Sequence, residues 1–315
     1  MVQENCIEKP KIIIVCGPTG SGKTGLAVNI SLKFGGEVVS ADSVSIYKGL
    51  DIGSAKPTEV EKKGVPHYMI DVVEPNAEFS VSEYENAALP IVYNIISSGK
   101  IPVICGGTGF YINSILYEMS YGKTAGDRSV REKYETLAKE RGNAYVYDIL
   151  KRTDPETAEV LHPNDLTRVV RALEIYELSG IKKSAIKDDR IPRFDAYIIM
   201  TDIKRDVLYR RIDSRVDKMI AEGLENEVVG LLKQGITTKN QCMQGIGYKE
   251  VAESVEKGEP LPIELIKMRS RRYAKRQITF FKRYDGAKRV DPTNGDSVRE
   301  VFDDIEKFIN KRTEN

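Results

Sequence analysis

The segment Lys11–Cys16, KIIIVC, runs directly into Gly17-Pro18-Thr19-Gly20-Ser21-Gly22-Lys23-Thr24 and then into a helical pattern. No other feature of the chain constrains its fold as tightly. A continuous β-branched apolar run is the mark of a strand buried on both faces, as in a parallel sheet. The residues after it satisfy GxxxxGK[ST], a pattern that acquires physical meaning only between a strand and a helix. Its glycines let successive backbone N–H groups turn toward phosphate oxygens, and the helix N-terminus adds partial positive charge. Lys23 supplies a full charge to the terminal phosphate, and Thr24 is placed to help hold Mg²⁺. The motif specifies phosphate and leaves open which phosphate compound.

The rest of the chain extends this opening. After the first helix, which carries Leu26, Ala27 and Ile30 and stops at Gly35-Gly36, a second short strand, Glu37–Ser40, leads to Asp42. A third, Ile101–Cys105, runs into Gly106-Gly107-Thr108; a fourth is Ala196–Met200 and a fifth Lys288–Val290. Strands alternating with helices predict an α/β fold, a phosphate-loop parallel sheet flanked by helices and joined by right-handed crossovers. From about Ser120 to Arg193 the pattern is helical. One helix starts near Asp127 and carries Val130, Tyr134, Leu137 and Ala138. Another follows Asn164-Asp165, carries Leu166, Val169, Val170, Leu173 and Tyr176, and stops at Gly180. The expected division is a core of residues 1–119 and 196–315, with an all-helical insertion at 120–195.

Composition excludes several classes. With 41% apolar and 30% charged residues the chain reads as an ordinary globular protein. No apolar run approaches the roughly 18–20 residues of a membrane helix, and the N-terminal apolar stretch is too short for a signal peptide. Cys6, Cys16, Cys105 and Cys242 show no CxxC spacing, and with only His67 and His162 beside them a zinc site is not expected. Cys16 and Cys105 end apolar runs and read as small core residues, which fits a reducing cytoplasm. Net charge is only +1. Yet Lys267–Arg283, KMRSRRYAKRQITFFKR, holds eight basic residues and no acidic one. That is either a solvated helix face or a phosphate-binding stripe.

In a parallel sheet, ligands bind along the edge where the strands' C-termini lie. The loop from Gly17, the pair Asp42-Ser43, and Gly106-Gly107-Thr108 each follow a strand, so all three should face one cleft. Taken alone, Asp42 reads equally as a turn or helix cap, and Thr108 as the cap of the helix through Phe110, Tyr111 and Ile115. The third strand ends in Cys-Gly-Gly-Thr and lacks the Asp that helps an NTPase hold magnesium, with Asp202 only a loose substitute. Plain ATP hydrolysis is therefore disfavoured. Arg211 and Arg215 lie one helical turn apart beside the stripe Leu208, Ile212, Val216 and Met219. They can reach a common anion or make surface ion pairs with Asp213 and Asp217.

GPTGSGKT, ADSVSIYKGLDIGSAKP (Ala41–Pro57), PHYMID (Pro66–Asp71), GGTGFYI (Gly106–Ile112), LHPND (Leu161–Asp165), RALE (Arg171–Glu174), GIGYKE (Gly245–Glu250) and YAKRQITFFKR (Tyr273–Arg283) occur in this order. The ordered set closely resembles the bacterial tRNA dimethylallyltransferase family over nearly the whole chain. The resemblance implies prenyl transfer from dimethylallyl diphosphate to the exocyclic N6 of adenosine 37 in the anticodon stem-loop of tRNA. It assigns the diphosphate to Gly17–Thr24, conventionally read as an ATP-binding loop, with Arg215 as a further ligand. It makes Asp42 the general base and Thr108 a contact to the reacting groups. It places tRNA against Asp42, Ser43, Val44, Ser45, Thr108, Arg131, Thr167, Arg168, Val169, Val170, Arg171, Gln244, Gly245, Ile246, Gly247, Tyr248 and Lys249. A cytoplasmic monomer using Mg²⁺ is expected. The family usually has Gln at Ser45 and Trp at Phe280. Competing readings are an adenylate isopentenyltransferase, a small-molecule kinase on the same sheet, and a non-catalytic RNA-binding module.

Overall fold

In the computed structural model, which describes residues 9–118, 126–186 and 190–311, the opening motif lies at the centre of a parallel sheet. Cys6 and Ser120, used above as a cysteine and as the start of the insertion, lie outside the described residues. The strands are β1 (Lys11–Cys16), β2 (Gly36–Ala41), β3 (His67–Tyr68), β4 (Ile101–Gly106), β5 (Asp195–Thr201) and β6 (Lys288–Val290). They pair side by side in the order β3-β2-β4-β1-β5-β6, every pair parallel. The strands read from the sequence are present with ends within a residue or so. β3, two residues long, gave too short a pattern to see.

The alternation of side chains along β1 explains its unbroken apolar run. Ile12, Ile14 and Cys16 join one cluster with Val39, Ala41 and Ile104. Ile13 and Val15 join another, with Leu26, Ala27, Ile30, Val38 and Val103. These five residues of β1 are fully buried, and only Lys11 at its start is not. At roughly 1.5–3 kcal/mol for each buried aliphatic side chain, this strand anchors both layers. Register then positions the loops. Cys16 is level with Gly106 and Met200, and Ala41 is also level with Gly106. The loops after β1, β2 and β4 therefore emerge side by side. The helices Lys23–Phe34, Val81–Ser97, Gly109–Leu116, Arg205–Ala221 and Ile263–Phe281 complete the surroundings of that edge. Among the described residues no helix is long and apolar enough to cross a membrane.

The chain folds as two compact units, residues 1–117 with 192–315, and residues 118–191. The second contains the helices Arg128–Arg141, Asn143–Thr153, Pro155–Val160 and Leu166–Ser179. The first and last match the helices read from periodicity, with Asp127 capping one through Ser129 N–H at 2.8 Å and Gly180 closing the other at φ 70°. The two between them were not individually legible. Val130, Tyr134, Val146, Leu150, Val169, Val170 and Leu173 make this unit's core.

Candidate functional site

The phosphate loop is held in shape by its own short bonds. Gly22 adopts φ 88°, which L-residues with side chains rarely accept, and so admits the helix that begins at Lys23. The hydroxyl of Ser21, fully buried, donates to Pro18 O at 2.7 Å and lies 2.6 Å from Thr201 Oγ1 at the end of β5. Thr19 N–H donates to Gln277 Oε1 at 2.9 Å. Lys23 Nζ donates to Pro18 O at 3.3 Å, a long bond that a better acceptor can displace. Thr24 is exposed on the first helical turn.

Next along the edge, Asp42 holds the turn that follows β2. Its Oδ1 accepts Val44 N–H at 2.9 Å and Ser45 N–H at 3.2 Å, so the bland reading as a turn residue is correct for that oxygen. Oδ2 has no hydrogen-bond partner among the described residues. Thr108 stands at the N-cap of the helix Gly109–Leu116 but makes no side-chain capping bond. Its Oγ1 instead accepts Ser43 N–H at 3.1 Å and donates to Ser43 Oγ at 3.2 Å. Backbone joins the same two loops, Thr108 N–H donating to Ala41 O at 3.0 Å.

These loops border a cavity of about 450 Å³. Lys23, Thr24, Asp42, Ser43 and Arg215 line its polar side, while Ile212, Val216, Met219 and Ile246 form an apolar wall. Burial lowers the Lys23 ammonium below an ordinary lysine; the nearby Cys105 and Asp42 oppose that shift and Arg215 adds to it. Burial also lowers the Arg215 guanidinium, with Asp42 opposing. Arg215 has no carboxylate partner within ion-pair distance among the described residues; its guanidinium donates to Ser54 O at 3.1 Å. Two desolvated cations sharing one nearby carboxylate leave an unmet demand for an anion. Arg211 lies beside the loop, its Nη1 3.9 Å from where a Cβ on Gly22 would stand. Asp202 pairs with Arg289 at 3.6 Å and does not line the cavity. No cluster of three His, Cys, Asp or Glu residues fit for a metal exists among the described residues.

The remaining candidate positions separate into surface and interior. Gln244, Gly245 and Ile246 line the cavity, whereas Tyr248 is buried, its hydroxyl donating to Glu227 Oε1 at 2.6 Å and accepting Ser54 N–H at 3.2 Å. Gly247 is buried at the start of the helix Tyr248–Lys257, and Lys249 Nζ lies 3.4 Å from Gln244 Oε1. Ser45, also buried, has its hydroxyl 3.4 Å from Ser40 Oγ. In the helical unit, Thr167 and Arg168 are exposed, and Arg168 pairs with Asp165 at 3.2 Å. Val169 and Val170 point into the unit's core, which corrects any expectation that their side chains reach a ligand. Arg131 and Arg171 converge on the fully buried Glu174, at 2.7 and 2.5 Å. Phe280 packs edge-on against Phe110, Phe281 and Tyr284, a setting that makes no polar demand of the ring.

The basic segment proved to have two faces. Lys267, Arg269 and Arg271 are tied to Asp217, Glu250 and Asp213. Arg272, Lys275, Arg276, Lys282 and Arg283 are exposed and form no ion pair among the described residues. Sequence reasoning missed the inward residues of this helix. Tyr273, Arg276 and Gln277 line the cavity, and burial and the nearby Asp42 push the Tyr273 hydroxyl up to about 12, with Thr108 and Gln277 opposing. The signal was present as the spacing of Tyr273, Arg276 and Gln277 by three and four residues, hidden among the more conspicuous charges.

Residues 45–284 match the sequence pattern of the family described as IPP transferase. The chain is 48% identical over 308 residues to the tRNA dimethylallyltransferase of Caldanaerobacter subterraneus subsp. tengcongensis, covering 95% of this chain and 97% of that one. Among solved structures it resembles the full-length tRNA isopentenylpyrophosphate transferase of Bacillus halodurans. That similarity has a TM-score of 0.71 and 36% identity, over 95% of this chain and 96% of the other. A eukaryotic dimethylallyltransferase acting on tRNA is also similar, with a TM-score of 0.78 and 28% identity over 96% of this chain and 80% of that one. With a phosphate loop and an anion-seeking cavity at the sheet edge, a family pattern matched over residues 45–284, and relatives matched over at least 95% of this chain, the chain belongs to the IPP transferase family.

Proposed function

We propose that this protein transfers a dimethylallyl group from dimethylallyl diphosphate to the exocyclic N6 of adenosine 37 in tRNA, releasing diphosphate. The observation that carries this reading is one cavity that joins a phosphate loop, a carboxylate with a spare oxygen, and the apolar wall of Ile212, Val216, Met219 and Ile246. A kinase cleft for a second polar substrate has less use for the wall of Ile212, Val216 and Met219.

The chemistry follows from these groups. The exocyclic amine is a weak nucleophile because its lone pair is delocalised into the ring. As N6 bonds to the allylic carbon and the carbon–oxygen bond breaks, Asp42 Oδ2 takes the N6 proton. The electron pair of the breaking bond leaves with diphosphate, where Lys23, Arg215 and the amides of Gly17–Thr24 stabilise the growing charge. Thr108, fixed by Ser43, steadies the reacting groups. Mg²⁺ prefers oxygen donors and keeps several waters and substrate phosphates, so the exposed Thr24 hydroxyl would help hold it, and the ion would add charge neutralisation. The target base must leave its stack to enter the cavity. The exposed face Arg272, Lys275, Arg276, Lys282 and Arg283 suits RNA phosphates, with Arg276 at the cavity wall. The helical unit supplies further contacts through Thr167 and Arg168. Every group in this scheme comes from one chain, so a monomer suffices.

The test is an acceptor competition. Labelled dimethylallyl diphosphate is supplied with tRNA, AMP and ATP together, and label is expected in tRNA. Label in AMP alone marks an adenylate isopentenyltransferase. Phosphate transfer from ATP with no label incorporated marks a kinase.

A further inference from the structure

Gln277 sits in the helix Ile263–Phe281, 5% exposed, and reaches two loops that follow different strands. Its Oε1 accepts Thr19 N–H of the phosphate loop at 2.9 Å, and its Nε2 donates to Gly107 O at 3.0 Å. A backbone N–H can only donate and a carbonyl can only accept, so these partners fix which end of the amide is which. Gly107 permits the approach, because a Cβ there would stand 2.2 Å from Gln277 Nε2. From Gly107 the chain continues to Thr108, whose hydroxyl meets Ser43 and whose N–H meets Ala41 O.

We infer that Gln277 is a positioning residue that sets the phosphate loop in register with the loop carrying Thr108, and so fixes the leaving diphosphate relative to the acceptor site. This rests on the proposed prenyl transfer for its consequence, while the bridge itself stands on the geometry. The physical case is one of fit. The phosphate loop and the Gly106–Thr108 loop follow adjacent strands, but beyond the strand ends no ladder joins them. The two partners require one acceptor and one donor, and the glutamine amide offers both without charge, on separate atoms. A carboxylate at the same position accepts from Thr19 N–H but repels Gly107 O. A hydrocarbon leaves the Gly107 carbonyl buried and unmatched and takes the partner from the part-buried Thr19 N–H. In a transfer reaction a small error in this register separates the breaking bond from its nucleophile.

The test uses the whole 315-residue chain and two probes, inorganic diphosphate for binding and dimethylallyl diphosphate with tRNA for turnover. Gln277→Leu should weaken diphosphate binding and raise the KM for dimethylallyl diphosphate roughly 10–100-fold, the effect of buried groups left unpaired. Its tRNA affinity should not change. Gln277→Glu should be impaired at neutral pH and recover as pH falls, since a protonated carboxyl can again donate to Gly107 O. Expressing its rate relative to wild type at each pH separates this change from the pH dependence that Lys23 and Tyr273 give both proteins; Asp42, Arg215 and Arg276 are the other charged groups lining the cavity. Unchanged diphosphate affinity in folded Gln277→Leu overturns the inference. Should that variant fail to fold, a pH-independent ratio for Gln277→Glu overturns it instead. Wild type that binds diphosphate yet never prenylates tRNA contradicts the proposed function, and leaves the bridge to be judged on diphosphate affinity alone.

Discussion

At the scale of single residues, the site turns on a division of labour within side chains. Asp42 uses Oδ1 to hold its turn and keeps Oδ2 for the cavity. Asp42→Asn preserves the size and one acceptor oxygen but cannot take a proton. Turnover at saturating substrates is expected to fall by about 10²–10⁴, with tRNA affinity unchanged. Near-normal single-turnover rates would remove Asp42 from the role. Lys23 offers a pH signature. Its ammonium is destabilised by burial, so in the free protein it loses its proton at lower pH than an ordinary lysine. A diphosphate needs the charged form. Affinity for inorganic diphosphate should therefore decline with rising pH before the ordinary lysine value of 10.5 is reached. Calorimetry across that range checks it, and Lys23→Ala should remove both the affinity and its pH dependence.

At the scale of elements, caps and ion pairs explain why some residues that look like ligands are structural. Asp154 stands at the start of the helix Pro155–Val160 and accepts from Thr157 N–H, Thr157 Oγ1 and Ser184 N–H. Burial alone would raise its carboxyl; the bonds from Thr157 and Ser184 outweigh that and bring it to about 2. A lowered carboxylate stabilises above its unfolded value and loses that contribution as pH falls through the folded one. The stability gap between wild type and Asp154→Ala should thus be full above pH 3.8 and close toward pH 2, as followed by helical circular dichroism. Glu174 anchors Arg131 and Arg171 from the interior. Removing one partner exposes the cost of a buried charge, so Arg171→Ala should lower the melting temperature where Arg168→Ala does not. The sequence made the strands and the outer two helices of the insertion legible because their apolar periodicity is long and bounded by Asp and Gly. It also announced the phosphate loop, Asp42 and Thr108, which follow strands on one edge. It could not reveal that Gln277 closes the site from a helix 258 positions beyond Thr19. Nor could it separate the paired cations of the basic segment from the unpaired ones, since the pairing acids Asp213, Asp217 and Glu250 come from other helices.

For the molecule as a whole, charge is balanced globally and concentrated locally. Net charge is +1, yet Arg272, Lys275, Arg276, Lys282 and Arg283 are exposed and form no ion pair among the described residues. Binding to tRNA should weaken steeply with salt, and each neutralised member of this face should flatten the logarithmic slope by about 0.7–0.9. Substituting Lys267 or Arg269, already paired, should leave the slope unchanged. The central claim, prenyl transfer to one adenosine of tRNA, is tested most directly by chemistry on the product. Unmodified tRNA is incubated with the protein and dimethylallyl diphosphate, diphosphate release is counted, and the tRNA is digested for mass spectrometry. The account predicts one prenyl group on N6 of adenosine 37 for each diphosphate released, and none with Asp42→Asn at matched time. Diphosphate released without modified adenosine, or a prenyl group placed elsewhere on the RNA, would contradict it.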